Sequence, residues 1–447
     1  MLERLCTRFS ATMRRLGDTR AEIVGATRFF RNPKVSAPEI LATAVARTAE
    51  AAADRHVALI EDTSEVNYAA KAGRKRDLGL VGNGVDIGLF VHPALAVDAV
   101  DGTVLGLAGA TIWRRTTAKA ANYQDLPIET KESHRWISTV TAARTALPDA
   151  AMVTVLADRE ADIYELFARL PKVGPDGLGT HLLVRCNHDR ALVQPDATGR
   201  LHETVASWPV RGTFGFELTA RPGRPARPVT LAVRFGSVTL RQPRPGATQA
   251  DPHTVTLNLV EVSESDPPPG EKPVLWRLYT THAVATLDDA RMVVELYRRR
   301  WSVEQVFRTL KTQGVALEQS LIAEGAALEN LAAASLVAAV KVMQCVQARG
   351  EAGSTISALR VFTRNDLPIL KALVRRLEGR TLKQKNRHPP ETLAWATWVI
   401  ARLGGWTGYD RERPPGPITM LEGFARYTAI AEGFTLATLT DKEVCAR

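Results

Sequence analysis

Two short apolar runs, each broken off by an aspartate, constrain the fold of this chain more than any other feature. Val57-Ala58-Leu59-Ile60 runs into Glu61-Asp62-Thr63-Ser64, and Met152 to Ala157 runs into Asp158. Neither run is long enough for a helix and neither alternates with polar residues. Each therefore reads as a strand buried on both faces, with an acid at its C-terminal tip. Between them, β-rich segments at about 87–99 and 103–114 flank Asp101-Gly102, a dipeptide favoured in hairpin turns, and a helix follows over about 132–147. A shorter helix over 160–170 comes after the second run.

This β-β-β-α-β-α order resembles the opening of an RNase H-like fold, in which a site gathers at strand ends. From about 178 to 282 the texture changes to alternating runs such as Val229 to Phe235 and Thr254 to Val262, separated by Pro-, Gly- and Arg-rich turns. These read as a β insertion whose turns, 221–227 and 241–244, are solvated loops, with ordered phosphate clamps as the alternative. One long helix is expected from Leu287 to Thr312, and helices dominate the remainder apart from a Lys/Arg-rich break at 375–387. Residues 1–55 read as helical and basic, with Arg14, Arg15, Arg28, Arg31 and Lys34 around a turn at Asn32-Pro33 and a helix start at Ser36. The expected architecture is α/β. It has an RNase H-like mixed-sheet catalytic core (56–177 and 283–345) with a β-rich insertion (178–282), flanked by helical N-terminal (1–55) and C-terminal (346–447) parts.

Composition narrows the partners. The 447 residues are 45% hydrophobic, enough for two to four domains, and 58 Lys plus Arg against 48 Asp plus Glu leave a net charge of +10, which suits a polyanion. Cys6, Cys186, Cys345 and Cys445 form no Cys-x-x-Cys pair, arguing against a zinc knuckle or a disulfide framework and for a reducing cytoplasm. Cys186 with His188 lacks further ligands at zinc spacing, and His56, His134 and His188 read as surface or structural residues. No secretory leader is apparent, and the most apolar stretch, Ala326 to Met343, is broken by Glu329, Asn330 and Lys341, so no membrane partner is expected.

On the expected long helix, Tyr297, Arg300, Glu304, Arg308 and Lys311 fall at i, i+3, i+7, i+11 and i+14, one polar stripe opposite Leu296, Val303, Val306, Phe307 and Leu310. A solvated face laced by an Arg300 to Glu304 pair is the plain alternative. The spacing Tyr-x-x-Arg-x-x-x-Glu-x6-Lys, together with Ile60-Glu61-Asp62-Thr63-Ser64, Asp158-Arg159-Glu160-Ala161-Asp162-Ile163 and Arg28 to Ser36 in that order, resembles the DDE transposases of the insertion-sequence-four family, the transposon-five type in particular. The likeness covers about residues 25–345, with scattered matches beyond, including Gly404-Gly405-Trp406 and Pro414-Pro415-Gly416.

The resemblance implies cut-and-paste DNA transposition by two-metal phosphodiester hydrolysis and strand transfer. Asp62, Asp158 and Glu304 would hold two Mg²⁺ ions, with Mn²⁺ able to substitute. In-line displacement builds negative charge on attacking, phosphoryl and leaving oxygens, which two cations held by hard oxygen ligands can stabilise. By the same match Tyr297, Arg300, Arg308, Lys311, Arg185, Arg28, Arg31 and Lys34 would contact DNA, and Trp276 would stack a displaced base. Glu61, Glu160 and Asp162 stand beside the matched acids and are not implied as ligands. Double-stranded DNA, as transposon ends and target, is the implied partner, and a homodimer the implied assembly. A shorter segment before Arg28 than the family pattern leaves one alternative, a non-transposing DNA-binding or heterodimerising regulator derived from a transposase.

Overall fold

The computed structural model describes residues 11–17, 19–115, 122–170, 179–193, 198–218, 225–243, 248, 250–312, 314–409 and 412–438. The structure is mixed α/β. In chain order it begins with α1 (Arg20–Arg31), α2 (Ala37–Ala52), β1 (His56–Glu61), β2 (Ser64–Asn67), β3 (Gly79–Leu80), β4 (Ile87–Asp98) and β5 (Val104–Trp113). There follow α3 (Arg135–Ala146), β6 (Met152–Ala157), α4 (Tyr164–Arg169), β7 (Thr180–Arg185), β8 (Ala191–Val193), β9 (Thr198–Arg200), α5 (Leu201–Ser207), β10 (Gly212–Leu218), β11 (Arg227–Arg241), β12 (Thr254–Glu264) and β13 (Leu275–Thr280). Helices α6 (Leu287–Arg298), α7 (Trp301–Lys311), α8 (Gly325–Gln347), α9 (Asp366–Leu377), α10 (Leu393–Leu403) and α11 (Pro417–Thr438) complete the chain, with 3-10 turns between. Of the basic turns in the expected insertion, 221–224 and Arg244 lie outside the described residues, as do Cys6 and Cys445.

Two units divide the chain: a sheet unit of 53–62 and 119–301, and a helical unit of 1–52, 63–118 and 302–447. In the sheet unit the strands run in the order β1-β6-β7-β13-β12-β11-β8-β9, with β10 on β11. β1 and β7 both lie parallel to β6, and the remaining pairs are antiparallel. Parallel neighbours need long crossovers, supplied before β6 by a stretch containing α3 and after it by one containing α4. β1 and β6 are buried at every position after their first, as two-sided burial of an unbroken apolar run requires. Thr180–Arg185, grouped by texture with the insertion, is thus paired in parallel with β6.

In the helical unit β4 pairs with β2, β3 and β5, and the β4–β5 turn carries Gly102 at φ 79, a backbone region that glycine enters without a Cβ penalty. Five strands therefore precede α3 where three were expected. β2 and β3 carry no apolar run long enough to signal them. Ser36 starts α2 as anticipated, its amide and hydroxyl both donating to Glu39 Oε2 at 2.9 Å. Helix α8 is long and apolar enough to cross a membrane, yet most of it is buried in the structure. Its polar groups are satisfied there: Asn330 Nδ2 donates to Val35 O at 2.8 Å and Gln344 Nε2 to Leu105 O at 2.9 Å.

The single helix expected from Leu287 to Thr312 is two helices. Arg299 N and Arg300 N donate to carbonyls three residues back, at 3.0 and 3.1 Å, so the chain tightens and turns between α6 and α7. No Gly or Pro interrupts Leu287 to Lys311, so periodicity ran straight through the break. The five-residue stripe consequently does not form on one helix, and Tyr297 and Arg300 are buried rather than solvated.

Candidate active site

The register of the sheet unit builds the site. Ile60 pairs with Leu156 across β1 and β6, and Ala157 with Val184 across β6 and β7. Continued past the strand ends, that register brings Asp62, Asp158 and Arg185 to one level on three adjacent strands. Neighbouring strands lie about 4.8 Å apart, so the level is a compact row of two acids and a guanidinium.

Each acid of the row has a partner of its own. Arg300, turned out of helix by the break before α7, donates from Nη1 to Asp62 Oδ2 at 2.9 Å, with side-chain exposures of 10% and 16%. Asp158 Oδ1 accepts from Glu160 N at 2.9 Å, capping the turn that follows β6. An ionised carboxylate has about four acceptor positions, so one cap bond leaves capacity for a cation. Burial pulls the Arg185 pKa down, while the Tyr297 hydroxyl and Asp158, both in electrostatic reach, act against this. Burial pushes the Tyr297 hydroxyl up, opposed chiefly by Arg300 and Arg185, so it is an uncharged phenol among cations. Trp276, half-buried on β13, meets Phe216 and Tyr297 edge-on at 5.5 and 5.8 Å, and Arg298 lies 4.5 Å over Phe216. No motif in the sequence marks Phe216 and Arg298; only the fold sets Phe216 against Trp276 and Arg298 over Phe216.

The three neighbouring acids are otherwise engaged. Asp162 is buried, accepting from Asn187 N, His188 N and Arg190 Nε at 2.7 to 2.8 Å. Glu160 pairs with Arg135 at 2.9 Å. Glu61, fully buried, is held well above the ordinary carboxylate range by desolvation, against the pull of Arg135. Cys186 Sγ lies 3.3 Å from the His188 carbonyl, and burial raises its thiol to about 11.

The remaining predicted residues belong to the helical unit. Glu304 is half-buried in the first turn of α7, Arg308 is exposed, and Lys311 lies 3.5 Å from Glu318. Around the end of α1, Arg28, Arg31 and Lys34 are exposed, Arg31 pairing with Glu324 at 2.9 Å. Among the described residues no three His, Cys, Asp or Glu side chains enclose a cation by themselves. A hard divalent ion bound for phosphoryl chemistry uses one or two carboxylates and completes its shell with water and phosphate oxygens. Asp62 and Asp158, side by side at strand tips, fit that donor set.

Residues 129–340 match the transposase DDE domain. The matched span of this nuclease domain takes in Asp158 and Glu304, and starts after Asp62. A transposase domain implies a DNA substrate, and a net charge of +10 accords with that. The span also includes β6, β7, the antiparallel strands β8–β13, and α6 and α7.

Proposed function

We propose that this chain is a cut-and-paste DDE transposase of the insertion-sequence-four family, with an RNase H-like catalytic core, that cleaves DNA at transposon ends and joins the freed strand to target DNA. One observation carries the reading: Asp62 and Asp158 leave adjacent parallel strands at the same register level, the second within the stretch matching a transposase DDE domain. Asp62, Asp158 and Glu304 are the residues that would hold two Mg²⁺ ions, or Mn²⁺ in their place. Bound there, the ions would activate the attacking oxygen and stabilise charge on the phosphoryl and leaving oxygens.

The chain's own cations supply the rest. Arg300 positions Asp62, and with Arg185 it makes the rim of the acid pair attractive to a phosphodiester. Tyr297 offers a neutral hydroxyl to a phosphate oxygen, and Trp276 an indole face to an unstacked base. Arg28, Arg31, Lys34, Arg308 and Lys311 serve as phosphate contacts that set affinity rather than chemistry. A homodimer holding two ends, in the cytoplasm at the nucleoid, completes the proposal.

Asp62→Asn, Asp158→Asn and Glu304→Gln should each abolish cleavage of an end-bearing duplex while leaving its binding within a few-fold of wild type. Wild-type cleavage should require Mg²⁺ or Mn²⁺, fail with Ca²⁺ and stop in excess EDTA. Wild-type rates from any one variant would remove that residue from the set, and full cleavage in EDTA would overturn the metal reading.

A further inference from the structure

The 13 residues from Arg375 to Arg387 contain six cationic side chains, Arg375, Arg376, Arg380, Lys383, Lys385 and Arg387, against a single acid, Glu378. That is five of the chain's ten net positive charges. All six cations are exposed, at the end of α9 and in the loop beyond it. The loop has a defined shape. Gly379 N donates to Gln384 O at 3.2 Å, Asn386 Nδ2 to Trp395 O of buried helix α10 at 3.0 Å, and Gln384 Nε2 to the Tyr409 hydroxyl at 3.0 Å. On the turn Leu382–Gln384, Leu382 is 76% exposed, an apolar side chain with Arg380, Lys383 and Lys385 within three residues of it in sequence.

We infer that this loop is a sequence-independent binding surface for double-stranded DNA, its cations contacting phosphates and Leu382 wedging into the minor groove to bend the duplex. Fixed cations tracking a backbone with one protruding apolar residue form the arrangement that unstacks a base step and kinks DNA. A loop that reads no bases suits the capture of target DNA, and in this respect the inference rests on the transposase reading. The surface lies wholly within the helical unit and includes none of the acids or arginines assigned above to cleavage or end binding.

The test uses the full-length chain and a random-sequence duplex labelled at both ends for energy transfer. Arg376→Gln/Arg380→Gln/Lys383→Gln should weaken binding roughly tenfold or more at low salt and flatten the slope of log K against log salt by about 0.9 for each phosphate no longer neutralised. Leu382→Ser should keep that slope but lose the end-to-end shortening on binding and the several-fold preference for a duplex with a flexible mismatch. Both variants should cleave an isolated transposon end at the wild-type rate, while Asp158→Asn should keep wild-type binding and bending of the random duplex. Unchanged affinity and slope in the triple variant, with an unchanged melting temperature, would overturn the surface and point it to an acidic protein instead. Wild-type bending by Leu382→Ser would overturn the wedge. A wild-type chain that binds and bends the random duplex yet cuts no end would sink the transposase reading and leave this one standing.

Discussion

The three parallel strands of the sheet unit carry ionisable residues at both ends, and the two ends are built differently. At the C-terminal end are Asp62, Asp158 and Arg185, partly exposed, with Arg300 paired to Asp62. Toward the N-terminal end the Thr154 hydroxyl lies 2.8 Å from both His56 Nε2 and His282 Nε2, and His181 stacks on His282 with ring centres 4.1 Å apart. Burial, with His181 and His56 beside it, lowers His282 to about 4. The histidine end closes on itself through the Thr154 hydroxyl and the stacked rings, as a structural cluster does. The acid end leaves Asp62, Asp158 and Arg185 partly exposed, and it is the end that open parallel sheets present to ligands. What separates a site from a scaffold here is thus not the presence of titratable groups but whether their hydrogen bonds close on one another.

Experiments that break this contrast can be ranked by expected size. Asp158→Asn against Asp158→Ala comes first, because asparagine caps a helix as well as aspartate does. Cleavage should fall by roughly a hundredfold or more in both variants, whereas only the alanine variant should lose about 1 kcal/mol of stability. An active Asp158→Asn enzyme would reduce Asp158 to its cap. Next, Arg300→Ala removes the ion pair to Asp62, whose partners are only 10% and 16% exposed, and should cost roughly 3 kcal/mol as well as cleavage. A melting temperature equal to wild type would show that the ion pair contributes nothing.

At the opposite end the effects should be on stability alone. His282 has a folded pKa near 4, below an unfolded value of about 6.5, so the unfolded chain binds the extra proton in between. The neutral ring's stability is full above about pH 6.5 and is lost as pH falls toward 4, on the order of 1 to 2 kcal/mol once partial solvation is allowed for. His282→Gln should flatten the stability profile in that window, and an unaltered profile would remove His282 as its cause. Thr154→Val removes the bridging hydroxyl at about 1 kcal/mol, with cleavage unaffected; slower cleavage would tie the two ends together. Smallest of all, Arg308→Ala on the exposed side of α7 should move stability by less than about 0.5 kcal/mol, and a shift of several degrees in melting temperature would mean that its side chain is structural.

Much of this was legible in local pattern. Strands β1 and β6 and their terminal acids follow from unbroken apolar runs, the β4–β5 hairpin from Asp101-Gly102, and α2 from Ser36. The α6–α7 break was not legible, because backbone turns without Gly or Pro leave periodicity intact. Nor was the difference between Asp158 and Asp162, four residues apart, since Asp162 is consumed by amides and an arginine that only the fold delivers.

By itself the sequence determined which segments are strands buried on both faces, where each ends and that an aspartate stands at each tip, because burial pattern and turn chemistry act over a few residues. Tertiary structure alone decided that Asp62, Asp158 and Arg185 stand level, that Arg300 leaves its helix to reach Asp62, and that the histidines close on a threonine. Those outcomes depend on which strands become neighbours and in what register, and register is set by long-range burial that no local window of residues contains.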